Sequence, residues 1–187
     1  GTLVVQRGSK LIANGTASAP IVFTSAEGVG SRAPGDWGGI VILGRAKTNR
    51  TSEPTIEGGI GRAYGGTDNE DNSGVMKYVR IEYAGIAALP NSEINALTFG
   101  AVGSKTVIEN VQTIYANDDA FEFFGGTVSP KYLYAFATAD DDFDFDNGYT
   151  GKIQFGVVLR RPELVDPTDQ GNGVECDNES SIPAAGP

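Results

Sequence analysis

The residues best suited to chemistry in this sequence are carboxylates. The run Asp140-Asp-Asp-Phe-Asp-Phe-Asp146 places five acids within seven positions. Side chains alternate along an extended strand, so Asp142, Asp144 and Asp146 share one face. Like charges at the strand spacing of about 4.8 Å repel by roughly 1 kcal/mol in water and about 3.5 kcal/mol at an effective dielectric of 20. Solvation, raised pKa values, a nearby base or a bound cation must relieve that repulsion. Calcium takes roughly six to eight oxygen ligands, which a carboxylate ladder can offer. The spacing is not that of an EF-hand: Gly148 falls one place late, and Ile153 stands where the closing Glu belongs.

A second acidic group lies in the loop Thr67-Asp-Asn-Glu-Asp-Asn-Ser-Gly74. There Asp68 and Asp71, with Glu70 and backbone carbonyls, can wrap a cation. Equally, Asx side chains in such a loop bond their own backbone. Trp37, in Gly35-Asp-Trp-Gly-Gly39, is either a sugar-stacking platform or a wedge at a corner, where the glycines allow close backbone approach. Arg160 and Arg161 follow the strand-like segment Gln154–Leu159. An Arg beside acid-held calcium could abstract the C5 proton of a uronate sugar, the calcium neutralising the carboxylate. The plainer role for these arginines is a solvated or salt-bridged pair.

Composition narrows the field. The chain has 187 residues and no histidine, which removes His-dependent nucleophile pairs and most zinc sites from this segment. The net charge of −10 makes nucleic acid an improbable partner, because phosphate binding needs basic clusters. No apolar run approaches the roughly 18 residues of a membrane span, so the expectation is a chain that does not cross a membrane. The single Cys176 has no internal disulfide partner. The chain opens at Gly1 directly in strand-like sequence, as expected of a piece of a longer protein. A single domain over residues 1–187 is expected.

These side chains need a scaffold, and its signals are those of strands. Alternating segments include Ile21–Thr24, Ile40–Leu43, Tyr78–Tyr83 and Phe143–Asp146. Loops are expected at Ala26–Asp36, Ala46–Pro54, Tyr64–Ser73 and Pro162–Gly171. At an offset of 22, Asn117-Asp-Asp-Ala-Phe-Glu-Phe123 falls on Ala139-Asp-Asp-Asp-Phe-Asp-Phe145. Tyr78–Tyr83 echoes the pattern upstream, and Gly173–Asp177 echoes it downstream. One motif recurring in one orientation suits the coils of a β-helix better than the hairpins of a sandwich. The fold class expected is all-β: a right-handed, single-stranded parallel β-helix with coils of about 22 residues. Two inward columns follow, Leu97–Phe121–Phe143–Val174 and Phe99–Phe123–Phe145–Cys176, with Cys176 a buried thiol. Glu122, Asp144 and Glu175 then form one outward column, the principal candidate for a metal.

The segments Leu3–Leu11, Pro20–Ser25, Gly35–Gly44, Ile56–Gly59, Tyr64–Asp68, Lys77–Gly85 and Asp118–Val128 together resemble a family of secreted or outer-membrane-associated β-helix proteins of Bacteroidota. That resemblance implies export, surface display and a β-helix, and brings no catalytic residues with it. Two functions are therefore expected to compete. One is a non-catalytic binding, adhesion or assembly protein of the cell surface, calcium-stabilised, with polysaccharide or other surface proteins as partners. The other is a calcium-dependent polysaccharide lyase. Neither Gly1–Val5 nor Ile182–Pro187 reads as an amphipathic cap, so the coil ends are expected to pack on the rest of a longer chain or on partners.

Overall fold

A computed structural model describes residues 1–89, 92–167 and 171–178. Its strands run in chain order as β1 (Leu3–Val5), β2 (Leu11–Asn14), β3 (Ile21–Phe23), β4 (Ile40–Leu43), β5 (Gly74–Glu82), β6 (Ala87–Leu89), β7 (Ser92–Glu93), β8 (Leu97–Gly100), β9 (Val107–Ile114), β10 (Phe121–Phe124), β11 (Lys131–Phe136), β12 (Phe143–Asp146) and β13 (Gln154–Leu159). Two parallel sheets carry the fold. Sheet A has the order β1-β4-β8-β10-β12, and sheet B the order β13-β11-β9-β5-β2 with β3 also on β5. From β4 onward the strands of the two sheets alternate along the chain, so each turn of the chain adds one rung to both; β2 and β3 share a single rung beside β5. This is a parallel β-helix. Strands β6 and β7 pair antiparallel and lie off both sheets. Among the described residues there is no helix, and none that is long and apolar enough to cross a membrane.

The register agrees with the sequence columns where coils are short. Phe121 stands between Leu97 and Phe143, and Phe123 between Phe99 and Phe145. The rings stack with centroids 5.3 Å apart for Phe121–Phe143 and 4.8 Å for Phe99–Phe123. Phe99, Phe121, Phe123 and Phe143 are buried, and Phe145 is half-buried against the same core. Burying one such ring contributes roughly 2–3 kcal/mol.

Two expectations are corrected. Within Tyr78–Tyr83, Tyr78–Glu82 belongs to β5 in sheet B, paired with β9, and the segment is not an upstream copy of the sheet A motif. The sheet A strands before β10 are β8 and β4. Nor does the core extend to the last positions of the columns: Val174 and Cys176 are exposed. The alignment itself is right, since Glu175 forms a parallel bridge to Asp144, but a single bridge does not enclose its neighbours. The segment Ile182–Pro187 lies outside the described residues.

Sheet B bends once per coil. Tyr78, Asn110, Tyr132 and Phe155 occupy equivalent places in four successive strands, and all have positive φ, from 47° to 63°. Left-handed backbone is unfavourable for residues with a Cβ, most of all for bulky ones. Three of these four positions nevertheless carry an aromatic ring. A second such column, Tyr83, Tyr115 and Ala137, closes the far end of the same strands. At the neighbouring corner Gly85 has φ +92°, and a Cβ there would sit 2.6 Å from the Asn117 nitrogen, so glycine is required.

Candidate functional site

The three central strands of sheet A are buried on both faces. β4, β8 and β10 are buried at every position, which is why Ile40-Val-Ile-Leu43 is apolar without alternation. One face meets the core between the sheets. The other lies under the long insertion between β4 and β5, whose Ile56 and Tyr64 pack on Val41, Leu43, Ile94 and Phe124. Tyr64 and Phe124 rings lie 6.1 Å apart, and Asn147 Nδ2 donates to the Tyr64 hydroxyl at 2.8 Å.

Along this covered face the side chains change character. In register, Val41 is followed by Thr98, Glu122 and Asp144, and Glu175 bridges beyond. The ladder expected from sequence therefore exists, but it is roofed. Glu122 is only 5% exposed, and its Oε2 accepts a hydrogen bond from Asn95 Nδ2. Asn95 Oδ1 in turn accepts from the Asp119 backbone N–H at 3.3 Å, and Asp119 Oδ1 accepts from the Asp141 N–H at 3.0 Å. Two triads of carboxylates bring ligand oxygens within 4.8 Å of one another: Asp118, Asp119, Asp140 and Asp119, Glu122, Asp144. Asp119 belongs to both.

Burial, and then crowding by like charges, raises the pKa values of these groups. Burial, then the charges of Glu57, Asp119 and Asp144, push Glu122 well above the carboxylate range. Asp119 is raised for the same reasons, with Asp118 the foremost charge. Burial raises Asp118 to about 8 and Asp144 to about 6. Glu57, on the covering insertion, rises to about 7 through burial and the charges of Asp144 and Glu93. A hydrogen bond with Asp141, then burial, raises Glu175 to about 8. Asp144 Oδ1, Asp146 Oδ1 and Asn147 Oδ1 are buried without a hydrogen-bond partner, a condition that costs free energy unless something binds there.

The other expected site residues go elsewhere. Asp142 leaves the ladder: it is fully buried, and its Oδ2 accepts from Arg160 Nη1 at 3.0 Å. Asp142 precedes β12 and so lies outside the strand whose alternation would set it beside Asp144. Asp146 lies beside Asn147 and Glu57 in a polar recess under the insertion. Asp68 Oδ1 accepts from the Glu70 N–H at 3.0 Å, an Asx turn, and Asp71 Oδ2 accepts from Ser73 Oγ at 2.8 Å. Among the described residues neither joins a carboxylate triad. Trp37 is half-buried against the core, its Nε1 donating to the Glu82 carbonyl at 2.7 Å. Sequence reasoning missed Glu57 and Asn95, whose place depends on how the insertions close over sheet A.

The stacked parallel coils and the acidic rows define a solenoid of the β-helix class. The profile of the pectate-lyase-like beta helix domain matches residues 1–187, and the chain belongs to that family. Comparison with curated proteins and with solved structures gives no match.

Proposed function

We propose that the chain is a non-catalytic β-helix binding module displayed outside the cell, braced at its acidic end by a divalent cation such as calcium. The observation that carries the non-catalytic reading is the state of Arg160. Its Nη1 donates to the Asp140 carbonyl at 2.7 Å, the Asn172 carbonyl at 2.9 Å and Asp142 at 3.0 Å. A guanidinium clamped in this way fastens one coil to the next segment and is poorly placed to abstract a sugar proton. The acidic composition and the likeness of the sequence to exported β-helix proteins support display outside the cell.

The donors fit a hard cation. All are oxygens, three carboxylates converge at Asp119, Glu122 and Asp144, and neighbouring Asp144 and Asp146 oxygens are orphaned. Asp119, Glu122 and Asp144 would hold the ion, which would offset their repulsion and stabilise the fold by mass action.

Two measurements test the reading. Thermal unfolding with calcium and with chelator should separate by several degrees; coincident curves sink the cation. Incubation with polygalacturonate and alginate should release no unsaturated uronate. Release that disappears in Arg160→Ala would install the polysaccharide lyase in place of the binding module.

A further inference from the structure

The outer face of sheet B differs from that of sheet A in being open. A groove of about 420 Å³ follows the bend of the sheet, lined by Tyr78, Arg80, Asn110, Gln112, Tyr132 and Tyr134. The register arranges them in two rows along the solenoid axis. Tyr78, Asn110 and Tyr132 form the left-handed row, and Arg80, Gln112 and Tyr134 the row beside it. Tyr132 continues the first row onto Phe155, their rings stacked at 4.7 Å and both at least half exposed.

Three features of this groove point to one kind of ligand. Aromatic faces open to solvent attract apolar C–H surfaces, while the amides of Asn110 and Gln112 offer both donors and acceptors between the rings. Sugars present that combination, an apolar ring face edged by hydroxyls. Rungs of a parallel sheet repeat at about 4.8 Å, close to the length of one extended pyranose unit, so successive units can meet successive coils. The platform is also preformed, because the half-exposed rings of Tyr132 and Phe155 already stack on one another at 4.7 Å before any ligand arrives.

Charge decides the class of sugar. Lys77 pairs with Glu109 at 2.9 Å and Arg80 with Glu82 at 2.5 Å. Lys131 stands in register beside Glu109. Two of the three bases, including Arg80 in the groove wall, are thus matched by acids on their own face, and the protein as a whole carries −10. Nothing in that balance favours a polyanion.

We infer that this groove binds one chain of a neutral β-linked polysaccharide, lying along the solenoid axis across Tyr78, Asn110 and Tyr132 with Gln112 and Tyr134 at its edge. This deepens the binding-module reading by naming its ligand class and surface. It is independent of the cation, whose test is a melting curve.

The experiment is native affinity electrophoresis of the chain through gels containing glucomannan, xyloglucan or polygalacturonate. Glucomannan or xyloglucan should retard migration, and polygalacturonate should not. Tyr132→Ala and Gln112→Ala, both at exposed positions, should each weaken retardation by roughly tenfold, and Gln112→Ala, which removes no stacked ring, should melt as the parent does. No retardation in either neutral gel overturns the proposal. So does equal retardation by polygalacturonate, or variants that bind like the parent. Sedimentation of the same samples supplies a further check: a dimer that dissociates in Tyr132→Ala would assign the face to a second copy of the chain and overturn the glycan.

Discussion

Asn147 donates its side-chain N–H to the hydroxyl of Tyr64 at 2.8 Å, joining the turn after β12 to the insertion that roofs sheet A. The bond is buried, and the Asn147 Oδ1 has no partner of its own. Tyr64→Phe should therefore cost about 1–3 kcal/mol, because it leaves the amide with neither end satisfied. Tyr64→Ala should cost about 3–5 kcal/mol, since the ring beside Phe124 is lost as well. Urea denaturation of the two variants checks this. Equal, small losses would mean that the insertion is fastened elsewhere.

The Phe columns make a graded prediction. Phe121 is fully buried between Leu97 and Phe143, whereas Phe145 is half-buried. Replacement of Phe121 by Ala should cost about 3–5 kcal/mol, and of Phe143 about as much. Phe145→Ala should cost clearly less, about 1–2 kcal/mol. Chemical denaturation midpoints highest for the parent, next for Phe145→Ala and lowest for Phe121→Ala and Phe143→Ala would agree.

Beyond these columns lies Cys176, an exposed thiol. Burial and then the charges of Asp144, Asp177 and Glu175 raise its pKa. A thiol-disulfide reagent should label it stoichiometrically in the native protein, slowly at neutral pH and faster as pH rises. A label that enters only in denaturant would place Cys176 inside the core.

How much of this was legible in the sequence depends on insertion length. Phe121 and Phe143 are separated by 22 residues with no inserted loop, so a direct alignment finds their shared column. From Leu97 back to Ile40 the separation includes two insertions, and the offset is lost. The alternation of Tyr78–Tyr83 resembles that of Phe143–Asp146, but alternation alone does not say which sheet a strand joins. The acidic row at Glu122, Asp144 and Glu175 was readable for the same local reason as the Phe columns. Its roof was not. Glu57 and Asn95 meet Glu122 only because two loops fold back over sheet A, and nothing in their local spacing encodes that closure. The bent sheet B was hidden too, since Tyr at a left-handed position runs against the usual preference for Gly and Asn.

Carboxyls raised by burial give stability a definite slope with pH. Asp144 at about 6, Glu57 at about 7 and Asp118 at about 8 all lie above their ordinary values near 4. Between pH 4 and pH 8 the folded state thus holds more protons than the unfolded chain, and stability falls as pH rises. Below the unfolded values both states are protonated and the full stability is present; it is lost as pH climbs through the raised values. In chelator the melting temperature should drop by several degrees between pH 5 and pH 8. A rise over that interval would mean that these acids are ionised in the fold.

Glu122→Gln separates repulsion from ion binding. The carboxyl of Glu122 is buried against Asn95 and crowded by Glu57, Asp119 and Asp144. Glutamine keeps its shape and an acceptor oxygen for Asn95, but adds no charge. At pH 8 in chelator the repulsion is gone without a cation, so the variant should be more stable than the parent by about 1 kcal/mol. In calcium the order should reverse, because the parent gains an ion and the variant has lost one of three converging carboxylates. Melting both proteins at pH 8, with calcium and with chelator, gives four values. The expected pattern is a crossing: variant above parent in chelator, parent above variant in calcium. Parallel lines, with the variant more stable under both conditions, would show that the cluster is relieved by its protons alone and holds no cation.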